Sequence, residues 1–237
     1  MTILGIDSSA TAASAAVIED GKLLSEAFLN IGLTHSQTLM PLIADTLARA
    51  NKTPQDIDLV AVTTGPGSFT GIRIGVATAK GLAQPLSIPC FGISTLECIA
   101  YPLLGAGNTL AVAVMDARCE QVYCALFRSE AGKQTRLTED SAEKLADLQT
   151  TLHGYDGQKI LIGDGTGIAF AYLKEQVAHI SPAPPLIRHQ RAACAAFLAE
   201  HKITVEQQSP VSAELLAPTY LRAPQAEREL RKPQNKT

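Results

Sequence analysis

One pattern near the start of the chain occurs again about a hundred residues later, and it constrains the fold more than any other feature. Within residues 2–18, two strand-like apolar segments are separated by the polar residues Asp7-Ser8-Ser9. Residues 110–127 repeat this arrangement around Asp116. The match is one of pattern and not of close identity, so an internal duplication and two unrelated hairpins both fit it. A duplication predicts two similar lobes of one α/β architecture, each with an Asp at the end of its first strand.

The first of these units continues into a third strand. An Asp20-Gly21 turn precedes residues 22–28, and Asp-Gly between strand-like segments is typical of a hairpin. Three short strands with an Asp at the tip of the first resemble the actin-like ATPase fold (ASKHA, ribonuclease H-like), in which two hairpin loops hold nucleotide phosphates and magnesium across a cleft. We therefore predict an N-terminal lobe (1–105), a smaller C-terminal lobe (106–215) and a partly disordered tail (216–237).

The composition excludes several classes of protein. Lys and Arg number 20 against 23 Asp and Glu, a formal net charge of -3, so contact with nucleic acid would need a local patch or a partner. Five cysteines without a C-x-x-C pair argue against a disulfide framework or a zinc knuckle and favour a reducing compartment. Because we see no basic leader and no apolar run of about 20 residues, we expect a cytoplasmic protein without membrane contact.

A glycine-rich stretch, TTGPGSFTGIRIG at residues 63–75, raises the question of catalysis. No lysine follows its glycines as a Walker A loop requires. The spacing of Gly65, Gly67 and Gly71 also misses the dinucleotide-binding fingerprint by one residue. Ser68 lacks the flanking glycines of a nucleophile elbow. The stretch therefore matches none of these catalytic or phosphate-binding motifs.

The remaining role of this loop is conformational. Glycine permits positive φ and close backbone approach, so we predict a turn from a strand (58–62) into a helix (72–82), capped by Ser68 or Thr70. The structural loop comprises Gly65, Pro66, Gly67, Ser68 and Gly71. Small residues then recur at every fourth position, at Gly71, Gly75, Ala79 and Ala83. Such a stripe fits tight packing inside the lobe and equally fits docking of another helix.

Residues 65–75 resemble the signature of the TsaB (YeaZ) family, bacterial tRNA-modification proteins of the actin-like superfamily. The resemblance covers nearly the whole chain, although residues 128–210 match only loosely. The other matching blocks are residues 3–9, 35–41, 93–96, 115–118, 122–123 and 220–222.

The resemblance implies an accessory, non-catalytic subunit that pairs with the paralogue TsaD. That pair threonylcarbamoylates the adenosine next to the anticodon of ANN-decoding tRNAs, with TsaE and TsaC acting in the same system. The family also forms homodimers through the helices that bind TsaD, here residues 35–50 and 72–82. The resemblance further implies that this subunit contacts tRNA only as part of the complex. The interface residues that this implies are His35, Leu39, Ile43, Gly71, Ile72, Gly75, Ala79 and Ala83.

The same resemblance places a degenerate nucleotide cleft at Asp7, Ser8, Asp116, Gly163 and Gly165. The second hairpin loop contains no glycine, which suits phosphate binding poorly, and no two histidines have the His-x-x-x-His spacing of TsaD-like relatives. We predict no catalytic residue, no metal site and no cofactor of its own, with ATP or ADP and magnesium confined to a joint with TsaD. Weak ATP binding, an ATP-dependent phosphotransferase and, with less support, a peptidase stay open as alternatives.

Overall fold

The computed structural model describes residues 1–118 and 120–222, which form two α/β lobes built on two sheets. The strands of the first sheet are β1 (Thr2–Asp7), β2 (Ala13–Glu19), β3 (Lys22–Leu29), β4 (Leu59–Gly65) and β5 (Cys90–Ser94). Those of the second are β6 (Thr109–Asp116), β7 (Gln121–Glu130), β8 (Lys133–Arg136), β9 (Ser141–Lys144), β10 (Gln158–Ile162) and β11 (Ile180–Pro182). The helices are α1 (His35–Arg49), α2 (Phe69–Leu86), α3 (Thr95–Ala100), α4 (Leu145–His153), α5 (Thr166–Leu173) and α6 (Ala192–Thr204).

The two sheets have equivalent topology. The first has the order β3-β2-β1-β4-β5, and the second has the order β8-β7-β6-β10-β11, with β9 also pairing with β7. In each sheet the strand that ends in the Asp, β1 or β6, lies between an antiparallel neighbour and a parallel one. This confirms the prediction of two similar lobes and places Asp7 and Asp116 at corresponding strand ends.

The first sheet is covered on both faces, which explains why β1 and β2 are apolar almost throughout. On one face Leu4 and Ile6 belong to a core that includes residues of α1 and α2. On the other face Ile3 packs with residues of α6. A Cβ on Gly5 would lie 2.2 Å from the carbonyl oxygen of Ala192, so a glycine here lets α6 approach the sheet.

The predicted boundary of the C-terminal lobe is wrong. The predicted lobe spans residues 106–215, but α6 packs on β1 and β2 of the first sheet. Val211 pairs with Cys90 at the edge of that sheet, and Leu216 is buried in the core of the first lobe. The second lobe therefore ends before α6, and the chain returns to the first lobe. Of the tail predicted to be partly disordered, 216–237, residues 216–222 pack on the first lobe through Leu216 and Tyr220. Residues 223–237 lie outside the described residues.

Helix α2 is longer than the predicted 72–82. It begins at Phe69, directly after its cap, and continues through Pro85 to Leu86. A proline there removes the hydrogen bond to the carbonyl four residues earlier, that of Gly81, which is exposed to solvent. Similarly, α1 begins at His35 although Pro41 lies within it. Within the described parts of the chain, no helix has both the length and the apolar character needed to cross a bilayer.

Candidate functional site

A cleft of ≈ 560 Å³ separates the two lobes at the end of the sheets where β1 and β6 terminate. Its volume is in the range of small-molecule sites. The lining residues come from the β1–β2 loop (9–11), the glycine loop with the start of α2 (66–70 and 72), the end of β6 with the following loop (115–118), Tyr123, Asp164 and the C-terminal segment (219–222). Of the residues predicted to bind nucleotide, Asp116 lies on this lining.

The glycine loop is the predicted turn from a strand into a helix. The Ser68 side chain caps α2 by accepting a hydrogen bond from the N–H of Gly71 at 3.3 Å. The Ser68 N–H donates to the carbonyl oxygen of Ser9 at 2.7 Å. Gly67 has φ of 157°, and a Cβ there would lie 2.2 Å from the same oxygen. The loop is thus closed against the β1–β2 loop, and Ser68 has a structural role there.

The small-residue stripe of α2 faces the interior of its own lobe. Ala79 and Ala83 are fully buried, and a Cβ on Gly71 would lie 2.1 Å from the carbonyl oxygen of Ser8. A Cβ on Gly75 would lie 2.6 Å from the Ser8 hydroxyl. The interpretation that these four residues make room for another protein's helix is therefore wrong, because the space they leave is filled by the β1–β2 loop and the sheet.

The other predicted interface residues are also turned inward. Leu39, Ile43 and Ile72 are buried in the core of the first lobe. His35 is half-buried, and its Nε2 lies 2.7 Å from the carbonyl oxygen of Ala10. Because these side chains point into the lobe, none of them can form the main contact with a partner. Only the opposite sides of the two helices are exposed for such a contact.

The opposite sides of these helices are exposed. On the segment leading into α1, Ile31 and Leu33 are 63% and 55% exposed, and Met40 on α1 is 48% exposed. We call the exposed side of these helices the outer α1/α2 face. It combines three large apolar residues with exposed small, polar or charged ones, and comprises Ile31, Leu33, Met40, Ala44, Thr70, Arg73, Ala77 and Gly81. The residues named from the sequence lie on the inner side of these helices, and the exposed side was not among them.

Asp7 and Ser8 do not line the cleft. Asp7 is fully buried and accepts hydrogen bonds from the Thr63 hydroxyl at 2.6 Å and from the Ser9 hydroxyl at 3.0 Å. Burial raises its pKa, and these hydrogen bonds oppose the rise only in part. The buried Ser8 hydroxyl donates to the carbonyl oxygen of Gly71 at 2.9 Å. Both groups are thus buried, Asp7 against Thr63 of β4 and Ser8 against the first turn of α2.

The β6–β7 loop uses its own backbone donors. The Ala117 N–H donates to the carbonyl oxygen of Gln121 at 3.0 Å, and the Gln121 N–H donates to that of Arg118 at 3.2 Å. The Arg118 N–H donates to Asp116 Oδ1 at 2.7 Å. Because a phosphate loop must present free N–H groups to the ligand, this turn is poorly suited to one.

Gly163 and Gly165 allow a close approach within the second lobe. Gly163 has φ of 119°, and a Cβ there would lie 2.0 Å from the carbonyl oxygen of Val114. A Cβ on Gly165 would lie 2.8 Å from the carbonyl carbon of Met115. These glycines bring the turn after β10 against the end of β6, and they do not line the cleft as predicted.

Asp164, between these glycines, faces the cleft and was missed by sequence reasoning. Its Oδ1 accepts a hydrogen bond from the Asp116 N–H at 3.3 Å. Burial raises its pKa to about 6, and the negative charge of Asp116 adds to the rise. Its position in a Gly-Asp-Gly turn directly after a strand was the available signal.

Comparison with known proteins identifies the family. Residues 30–230 match the family model "TsaD: tRNA N6-adenosine threonylcarbamoyltransferase". The "tRNA threonylcarbamoyladenosine biosynthesis protein TsaB" of Bacillus subtilis is 30% identical over 228 residues, covering 96% of each chain. The chain belongs to the TsaB family. The TsaB protein of Escherichia coli is 34% identical over 170 residues, covering 70% of this chain and 72% of its own.

A solved structure supports the fold of this TsaB-family chain. YeaZ from Pseudomonas aeruginosa superposes with a TM-score of 0.77 at 24% identity, covering 93% of this chain and 99% of that one. Together with the two equivalent sheets, this confirms the predicted actin-like ATPase fold with two lobes.

The titration of Asp164 gives a test of the cleft geometry in this TsaB-family chain. Because folding raises the pKa of Asp164, the free energy of unfolding falls as pH rises from about 4 to about 6, by up to about 3 kcal/mol. Asp164→Asn removes this loss, so we expect the variant to be more stable than wild type at pH 7.5 and equal to it below about pH 4. Urea unfolding at several pH values measures this, with the exposed Asp156→Asn as control. Equal stabilities at pH 7.5 would show that Asp164 is well solvated.

Proposed function

We propose that this chain acts in the threonylcarbamoylation of tRNA as an accessory subunit that pairs with a TsaD-type transferase. The TsaB relatives are named as tRNA threonylcarbamoyladenosine biosynthesis proteins, and the matching family model is that of the transferase itself. A homologue of the transferase is suited to pair with it, because paralogues share the helices and sheets from which a pseudo-symmetric interface is built. TsaC and TsaE would act in the same system, and the chain would contact tRNA only as part of the complex.

The outer α1/α2 face is the observation that carries this proposal. Its large apolar side chains, Ile31, Leu33 and Met40, are exposed, and exposed apolar patches on soluble proteins mark interaction sites. Ala77 and Gly81 have a small side chain or none, so that a partner's helix can approach the outer side of α2 closely. We place the TsaD contact here, and the same face would join two copies when the chain is alone.

The cleft of this chain does not fit a magnesium nucleotide. Asp7, one of the residues predicted to form a nucleotide cleft, is buried and has a raised pKa. The Ala117 and Arg118 N–H groups of the β6–β7 loop are satisfied within the turn, and Asp116 and Asp164 offset the positive charge of Arg118 and Arg222 on the cleft lining. A non-catalytic role accounts for these features. We propose that, where ATP or ADP binds at the interface with TsaD, residues of TsaD contact its phosphates.

The direct test is to mix the chain with TsaD from the same organism and measure both association and tRNA modification. We expect a one-to-one complex with a Kd of about 1 µM or below, and modification only when both proteins are present. Modification by TsaD that is unchanged when the chain is omitted would overturn the proposal. Calorimetry of the isolated chain with Mg-ATP tests the alternative phosphotransferase, which requires binding and turnover without TsaD.

A further inference from the structure

The C-terminal segment, residues 211–222, runs along α2 from its last turns to its first, and we call it the belt. Val211 and Cys90 exchange backbone hydrogen bonds of 2.8 and 2.9 Å at the edge of the first sheet. Lys80, on α2, then donates from its Nζ to the carbonyl oxygens of Glu214 at 3.1 Å and Leu216 at 2.9 Å. The first half of the belt is thus fastened to α2 and the sheet beside it.

The second half of the belt contacts the start of α2. The Thr219 N–H donates to the carbonyl oxygen of Thr64 at 2.8 Å. The Tyr220 ring stacks on Phe69 with centroids 4.7 Å apart, and its hydroxyl accepts from Arg73 Nε at 3.1 Å. The Arg73 guanidinium also lies 4.4 Å from the centroid of the Phe69 ring. Arg73 belongs to the outer α1/α2 face, so this cluster joins that face to the mouth of the cleft.

The belt then reaches the second lobe. Arg222 donates from Nη1 to the carbonyl oxygen of Ala117 at 2.8 Å. Ala117 is buried in the β6–β7 loop, directly after Asp116. A guanidinium–carbonyl hydrogen bond is charge-assisted and therefore stronger than a neutral one. One continuous segment consequently contacts α2 along its length and a loop of the opposite lobe.

We propose that the belt couples the outer α1/α2 face to the β6–β7 loop, so that a partner bound on that face changes the opening of the cleft. The partner step rests on the proposed function, whereas the mechanical link does not. Contacts that fix Arg73 against a partner would also fix Tyr220, and through it the position of Arg222. The cleft would then be held in one opening in the complex and would vary more in the isolated chain.

Hydrogen exchange of the isolated chain tests the mechanical link without a partner. Arg222→Ala should speed amide exchange at residues 116–118 by about tenfold, the effect of one charge-assisted hydrogen bond, whereas Arg222→Lys should keep most of the protection. Tyr220→Ala, which alters the contact with α2 and none with this loop, should speed exchange there as well. Tyr220→Phe keeps the stack on Phe69 and loses the hydrogen bond from Arg73, so exchange at 116–118 should lie between wild type and Tyr220→Ala. Unchanged exchange at 116–118 in Tyr220→Ala would overturn the coupling.

A second arm adds TsaD at saturating concentration. In wild type we expect slower exchange both on α1 and α2 and at residues 116–118. In Arg222→Ala the helices should still be protected, and the loop should not. Full protection of the loop in Arg222→Ala would overturn the belt as the route. Lack of protection on the helices of wild type would instead contradict the proposed function, while the isolated-chain arm still decides whether the belt links α2 to the loop.

Discussion

Gly71→Ala is expected to lower the free energy of unfolding by about 3 kcal/mol, the upper end of the range for overpacking. The added Cβ would lie 2.1 Å from the carbonyl oxygen of Ser8, which is backbone and cannot move without displacing the β1–β2 loop. Gly81→Ala in the same helix is the matched control, because a Cβ there meets nothing within 4 Å. The control should stabilise the protein by about 0.5–1 kcal/mol, the difference in helix propensity between alanine and glycine.

Urea unfolding of the two variants measures this difference. A large loss at Gly71 with a gain at Gly81 would establish that the stripe is internal and the other side of α2 is free. Wild-type stability of Gly71→Ala would show that the stripe faces solvent in the isolated chain, and the assignment of faces would then be wrong.

Ala77→Arg is expected to weaken pairing with TsaD by about a hundredfold, as substitution at the centre of an interface commonly does. The long charged side chain would hold a partner's helix away from the outer side of α2 and would be desolvated without a counterion. Stability should hardly change, because Ala77 is exposed and arginine forms helices well.

A matched control for Ala77→Arg lies on the second lobe. Leu186 is 81% exposed, and Leu186→Arg places the same charge on a surface outside the outer α1/α2 face. Sedimentation or calorimetry with TsaD should show wild-type affinity for Leu186→Arg. Equal loss of affinity in both variants would indicate a general charge effect, and wild-type affinity in Ala77→Arg would place the interface elsewhere.

The sequence predicts local elements well because they depend on local chemistry. The first three strands follow from apolar segments separated by polar turns, and the Ser68 cap follows from a hydroxyl placed before a helix. Strands β8, β9 and β11 were not predicted, since they contain only three or four residues and carry polar side chains or proline.

Which side of α2 packs against its own lobe could not be predicted from the sequence. Gly71, Gly75, Ala79 and Ala83 give the same spacing whether the helix packs on its own sheet or on a partner, because periodicity defines a side and not its neighbour. The return of α6 to the first lobe depends equally on contacts distant in sequence. For example, the Ala192 N–H donates to the Ser14 hydroxyl at 2.9 Å.

The candidate site was predicted in outline and corrected in detail. Asp116 lies on the cleft because the duplicated strand ends there, as the repeat implies. The corresponding Asp7 is buried and bonded to Thr63 of β4, a contact between strands distant in sequence that spacing alone does not reveal.

The central claim is that this chain supports tRNA modification by pairing and not by chemistry in its own cleft. Reconstituted modification with TsaD, comparing Asp116→Asn with Ala77→Arg, tests it most directly. Asp116 lines the cleft, and the hydrogen bond that it accepts from the Arg118 N–H at 2.7 Å can equally be accepted by the asparagine Oδ1, so the turn should be kept. We predict wild-type modification with Asp116→Asn and its loss with Ala77→Arg. An intact Asp116→Asn complex that fails to modify tRNA would contradict the claim.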